Sequence, residues 1–110
     1  MWATRLVSQA ERAGATARIA RDVTSLEAAV EEAPAGLVVV DLGSHRFDGV
    51  AAVSASAAHR IPVIAVSQHE DHALRKRALD AGAARVYAYA KMHADGASLL
   101  REWLSVPAAT

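Results

Sequence analysis

The sequence predicts an α/β domain built on a parallel β-sheet with helices on both faces. Three observations carry that expectation. Leu37-Val38-Val39-Val40 and Pro62-Val63-Ile64-Ala65-Val66 are short β-rich runs, apolar on both faces, as strands covered by two helix layers are. Alanine-rich segments with helical spacing surround and separate them. The connections are short, and strands alternating with helices across short connections form parallel sheets.

Taken in order, Thr4 to Ala13 reads as a helix that stops at Gly14. Ala15 to Arg21 is a weaker strand. Thr24-Ser25-Leu26-Glu27 opens a second helix with a hydroxyl start and an early acid, and Pro34 follows its end. After the strand Leu37 to Val40, Asp48 precedes a helix whose Val50, Val53 and Ala57 recur on one face. Glu70 to Ala81 is a helix closed by Gly82, Arg85 to Ala90 is a second weaker strand, and Asp95 to Leu104 is the last helix. Residues 1–105 form one domain, and Val106 to Thr110 reads as a frayed tail.

The 110 residues suffice for one modest core. Twelve basic and twelve acidic side chains cancel, which argues against a general attraction to nucleic acid or anionic lipid. There is no cysteine, which excludes disulfides, thiolate metal sites and a cysteine nucleophile. No apolar run approaches the ~20 residues of a membrane span, so a soluble cytoplasmic protein is expected. Alanine occurs 27 times against five aromatic residues, giving each helix little area to bury.

In open parallel sheets, ligands sit at the carboxyl ends of the strands. Asp41 and Ser67 close the two strongest strands and would share that edge. A strand-end carboxylate can accept a phosphoryl group, help to hold a metal ion, or simply accept backbone hydrogen bonds. His69 and His72 flank Glu70 and Asp71 near the same edge, with His45 in a neighbouring loop, and imidazoles at i and i+3 can share a helix face. A polar helix start is the simpler reading, and no metal site is assigned. Arg75-Lys76-Arg77 point in different directions around a helix and read as a solvated face.

The stretch DLGSHRFDG, residues 41 to 49, resembles the receiver domain of bacterial two-component response regulators. That family usually has an aspartate ending its third strand, then leucine, then a loop closing on Asp-Gly. Asp41, Leu42, Asp48 and Gly49 fit, whereas the usual Met-Pro of the loop is replaced by Ser44-His45. IPVIAVS, residues 61 to 67, ends on Ser67 where the family keeps threonine or serine, and ALDAGAARVYAY, residues 78 to 89, is similar to the family's fourth helix end and fifth strand. The resemblance implies a flavodoxin-like three-layer α/β/α fold. It makes Asp41 the phospho-acceptor candidate, with Ser67 and Lys91 as phosphate neighbours.

The departures bear on function. The family's first strand ends in an acidic pair that holds magnesium, but here Met1-Trp2 runs straight into what resembles the first helix. The family's lysine falls at Tyr89, with Lys91 two residues later and expected on the same strand face. Its switch aromatic falls at Val86. Phosphoryl transfer to a carboxylate needs strong charge compensation from a divalent ion and a cation. Asp41 is the one acid placed securely at the edge, because Asp22 follows the weak strand and lies to the side. No magnesium is expected unless Asp41 is phosphorylated.

A first strand would be central in the order 2-1-3-4-5. Its absence leaves three solutions: Ala15 to Arg21 pairs directly with Leu37 to Val40, two copies cover each other's edges or helix faces, or the natural start lies upstream. A four-stranded sheet in a homodimer is expected. Tyr87, Tyr89, Leu99, Leu100 and Trp103 are the interface candidates. The leading functional expectation is a degenerate, stand-alone receiver, non-enzymatic, acting through association with itself, a histidine kinase or another signalling protein. The alternatives are a phospho-accepting receiver truncated at its N-terminus and a small ligand-binding α/β domain.

Overall fold

A computed structural model describes residues 2–20, 22–32, 36–43, 47–68 and 70–104. The elements are α1 (Trp2–Arg12), α2 (Val23–Glu32), β1 (Val38–Asp41), α3 (Gly49–Ala58), β2 (Val63–Ser67), α4 (His72–Ala81), β3 (Arg85–Ala88) and α5 (Tyr89–Leu104). The three strands are parallel in the order β1-β2-β3. Helices α2, α3 and α4 form one layer, and α1 with α5 forms the other.

The period of two along each strand divides the core. Val38, Val40, Val63, Ala65 and Val86 face the α2-α3-α4 layer with Ala52, Val53 and Ala78. Val39, Ile64, Val66 and Tyr87 face α1 and α5 with Met92, Leu99 and Leu100. All five residues of β2 are buried, so the continuous apolar run at 62–66 marks the strand with helices on both faces and a strand on each side. Burial of Val63, Ile64 and Val66 contributes about 1.5–3 kcal/mol each.

Local chemistry fixes the helix ends. Asp22 accepts from the Ser25 N–H at 2.7 Å and so caps α2, although Thr24 and Ser25 carry the stronger sequence signal. That bond holds the Asp22 carboxyl below its ordinary pKa. Asp48 caps α3 through the Ala51 N–H, and Asp71 caps α4 through the Leu74 N–H, both at 3.1 Å. Gly82 ends α4 with a φ of +121°, a backbone that side chains disfavour.

Three expectations need correction. Ala15 to Ala20 forms no strand, and the sheet among the described residues has three strands instead of four, with β1 at its edge. The six residues 15–20 have no pairing partner for their backbone within the described sheet. The last helix begins at Tyr89, immediately after β3, instead of at Asp95. Asp95 marks a kink within α5, with φ −118° and ψ 15°. Lys91 therefore lies on a helix, and the reasoning that placed it on the same strand face as Tyr89 fails. The 106–110 tail lies outside the described residues.

The docking of α1 on α5 is specific. Gln9 is buried and its Nε2 donates to the carbonyls of Met92 and His93, at 3.1 and 3.2 Å, just before the kink. Arg5 donates to the His93 carbonyl and Arg101 to that of Arg12, so the two helices run side by side in the same direction. The contact depends on Gly96, where any β-carbon would overlap the Gln9 amide. Gly96→Ala is expected to push the Gln9 amide off the Met92 and His93 carbonyls, losing about 1 kcal/mol per hydrogen bond against the roughly 1 kcal/mol that alanine gains over glycine in a helix, a net loss of about 1 kcal/mol. Urea unfolding should show it, with the double variant Gly96→Ala/Gln9→Ala losing less than the sum of the two single changes. An additive double variant would contradict the contact.

Candidate functional site

The register across the sheet aligns the carboxyl ends of the strands. Asp41 pairs with Val66, which pairs with Tyr87, and Ser67 pairs with Ala88. Asp41, Ser67 and Tyr89 therefore reach the same edge, one from each strand or its continuation. Asp41 is half-buried there, and the chain turns sharply away through Leu42 and Gly43.

Tyr89 sits where the resemblance calls for lysine, and its side chain reaches back across the end of β2. Its hydroxyl donates to Oδ1 of Asp41. The Gly43 N–H donates to the same Oδ1 at 3.0 Å and approaches the Tyr89 oxygen at 3.1 Å. One carboxylate oxygen, one phenol and one backbone amide thus close into a compact set. Gly43 permits it, because a β-carbon there would collide with the Tyr89 hydroxyl. Two strand spacings of about 4.8 Å separate β1 from β3, so a side chain of tyrosine's length is needed to tie them together.

Burial is the main reason that Tyr89 holds its proton far more tightly than ordinary tyrosine. The hydrogen bond to Asp41 and the charge of that carboxylate act in the same direction. The hydroxyl is thus a donor at neutral pH.

Ser67 is buried, and its hydroxyl donates to the Gln68 carbonyl at 3.3 Å. Lys91 forms an ion pair with Asp95, one turn along α5, at 2.8 Å. That hydrogen bond raises the pKa of its ammonium. Asp22 is engaged as the α2 cap through the Ser25 N–H. His72 is exposed at the start of α4, while His45 and His69 lie outside the described residues. Among the described residues, no group of three or more His, Cys, Asp or Glu side chains comes together to hold a metal ion. Magnesium is usually held by one or two carboxylates and several waters. Asp41 would supply one such carboxylate, and one of its oxygens already accepts from the Tyr89 hydroxyl and the Gly43 N–H.

The interface candidates separate into two kinds. Leu99 and Leu100 are buried against Ile64, Val66 and Met92, so helix packing removes them from the free surface. Tyr89 is committed to Asp41. Tyr87 and Trp103 are half-buried and joined by a 2.8 Å hydrogen bond from the indole N–H to the phenol oxygen. Arg85 stacks over the Tyr87 ring at 5.6 Å, and Leu104 is exposed at the end of α5, with its side chain near Gly36. In the basic run, Lys76 pairs with Asp80 at 3.0 Å, and both are exposed.

Sequence reasoning placed Asp41 but gave Tyr89 the wrong setting. The available signal was its alignment with the family's lysine, since a donor there reaches the aspartate whether or not it is charged. Gly43 carried no signal until the Tyr89 hydroxyl was placed against it.

A raised tyrosine pKa has a defined stability consequence. The folded chain retains the Tyr89 proton better than the unfolded chain, so this contribution is complete below the ordinary pKa of 10.0 and is lost as pH rises above it. Tyr89→Phe is expected to lower stability at pH 8, by about 1 kcal/mol for one hydrogen bond. The difference should shrink as pH passes 10. Urea unfolding across pH 8 to 11 checks this, and a gap that widened with pH would contradict the geometry.

No protein-family model and no curated protein sequence matches this chain. Solved structures do. The receiver domain of NtrX from Brucella abortus is similar at 24% identity, with 88% of this chain and 87% of that chain covered and a TM-score of 0.70. The receiver domain of the sensor histidine kinase PA1611 from Pseudomonas aeruginosa PAO1, solved with magnesium in its active site cleft, is similar at 19% identity, with 94% and 88% covered and a TM-score of 0.78. A protein from Chloroflexus aurantiacus J-10-fl described as a response regulator reaches a TM-score of 0.81 at 15% identity, with 96% and 89% covered. The chain has the flavodoxin-like fold of response-regulator receiver domains.

Proposed function

We propose that this chain is a degenerate receiver: a non-enzymatic signalling module that works through protein–protein association instead of phosphorylation at Asp41. The observation that carries this reading is the Tyr89 hydroxyl donating to the Asp41 carboxylate. An incoming phosphoryl group needs that oxygen free, a divalent ion to neutralise its charge, and a cation for the developing negative oxygens. Tyr89 engages one of the two carboxylate oxygens and puts a neutral phenol where the cation would stand, while Lys91 is paired with Asp95.

Incubation with acetyl phosphate and magnesium, followed by intact-mass measurement, tests the reading. The expected result is no stoichiometric adduct on the unmodified chain. A stoichiometric adduct that disappears in Asp41→Ala would instead make it a phospho-accepting receiver.

Association is the output that remains, in the cytoplasm and with another copy of the chain or a histidine kinase or similar signalling protein. The surface that fits it is the end of α5 and the β3 strand beside it, where Arg85 stacks on Tyr87, Tyr87 bonds Trp103, and the next residue, Leu104, is exposed. A homodimer through this surface predicts a dimer mass by sedimentation at micromolar concentration. Leu104→Glu should return the mass to that of the monomer without altering urea unfolding. A monomeric parent chain would remove the homodimer.

A further inference from the structure

We infer that residues 89–94, the first stretch of α5, form a movable turn that couples the docking of α1 through Gln9 to the closure of Asp41 by Tyr89. This goes beyond the reading of Asp41 as a carboxylate that is not phosphorylated, because it concerns what holds Tyr89 in place.

Few contacts fix that turn. It runs from the end of β3 to Asp95, where the backbone leaves helical geometry. Ala90, Lys91, His93 and Ala94 are exposed, and Met92 alone is fully buried, in the cluster of Ile64, Val66, Leu99 and Leu100. A methionine side chain adapts to small shifts of its own backbone. A segment with so little apolar anchoring takes its position from its polar bonds. At its start the Tyr89 hydroxyl donates to Asp41, and the Gly43 N–H approaches the phenol oxygen. One helical turn later the Met92 and His93 carbonyls accept from Nε2 of Gln9, and Arg5 donates to the His93 carbonyl at 2.9 Å. The two sets of bonds hold opposite ends of one short rigid piece.

The kink gives this piece two arrangements. The Met92 and His93 carbonyls are the acceptors that an unbroken helix offers to the N–H groups of residues 96 and 97. A straight α5 would reclaim them and move them from Gln9. Gln9 is only 2% exposed, and its Oε1 has no hydrogen-bond partner among the described residues. Loss of the carbonyls would leave its donor unpaired as well, and an unpaired buried amide is costly. Docked α1 therefore favours the kinked arrangement, with Tyr89 on Asp41. Among the described elements α1 packs on α5 alone, so drawing α1 aside frees the turn. The second half of α5 keeps its own anchors, through buried Leu99 and Leu100 and the bond from Trp103 to Tyr87. Motion is thus confined to the piece that carries Tyr89. Coupling between two sites is reciprocal, so opening Tyr89 must in turn loosen Gln9.

Hydrogen exchange followed by NMR on the full chain tests both directions. Val66, buried in the middle strand, serves as the reference for global opening. In Gln9→Ala, exchange at the Gly43 amide, which is bonded to Asp41 and not to α1, is expected to quicken about tenfold more than exchange at Val66. In Tyr89→Phe, exchange of the Gln9 side-chain amide protons should quicken by a similar factor relative to Val66. If Gln9→Ala does not fold, the Tyr89→Phe measurement decides alone. Gly43 exchange that changes only as much as Val66, or Gln9 amide exchange that does so, would overturn the proposal. Neither readout depends on whether Asp41 accepts a phosphoryl group.

Discussion

The hydrogen bond from Tyr89 to Asp41 joins the two outer strands of a three-stranded sheet across the end of the middle one. It has a structural and a chemical consequence. Structurally, it pins the carboxyl end of β1, a strand with a sheet neighbour on one side only. Chemically, it engages one of the two oxygens of the Asp41 carboxylate. A charged lysine at position 89 would favour the approach of an anion, whereas a buried phenol with a raised pKa favours a closed, neutral set. The same contact that pins the edge places a phenol on the carboxylate where the resemblance calls for lysine.

The remainder of the fold shows how an alanine-rich chain holds together without a broad core. Small side chains allow α3 and α4 to come close, and the burial of β2 on both faces supplies the dense centre. The outlying α1 is held by a different means. Gln9 donates to the Met92 and His93 carbonyls just before the kink at Asp95, and Gly96 leaves room for its amide. That polar anchor lets α1 keep its place although no strand lies under it.

Most of the fold was legible because its signals were local. Val63 to Val66 is apolar at every position and β-branched at three of four, which only a strand buried on both faces explains. Asp48 and Gly82 marked helix ends by the bond and the backbone angle those residues supply. The failures occurred where a local signal depended on distant structure. Ala15 to Ala20 is compatible with a strand but has no neighbour to pair with in the described sheet. Tyr87 and Tyr89 have the β-propensity of a continued strand, but the helix starts at Tyr89, and only then does its ring turn back over the sheet. Leu99 and Leu100 looked in excess of what one helix face needs, but they pack with Ile64, Val66 and Met92 in a cluster that Leu6, Ala10 and Ala13 of α1 also cover. Asp41 was found by position. Its partner was missed because a phenol standing in for an ammonium is a change in chemistry, not in spacing.

The central claim is that Asp41 is closed by Tyr89 even when magnesium is present. A high-resolution crystal structure grown with a magnesium salt measures this directly. The account predicts the Tyr89 oxygen within hydrogen-bonding distance of Asp41 Oδ1 and the Gly43 amide on the same oxygen. A magnesium ion seated on Asp41, with the Tyr89 ring swung away and Lys91 released from Asp95, would contradict it.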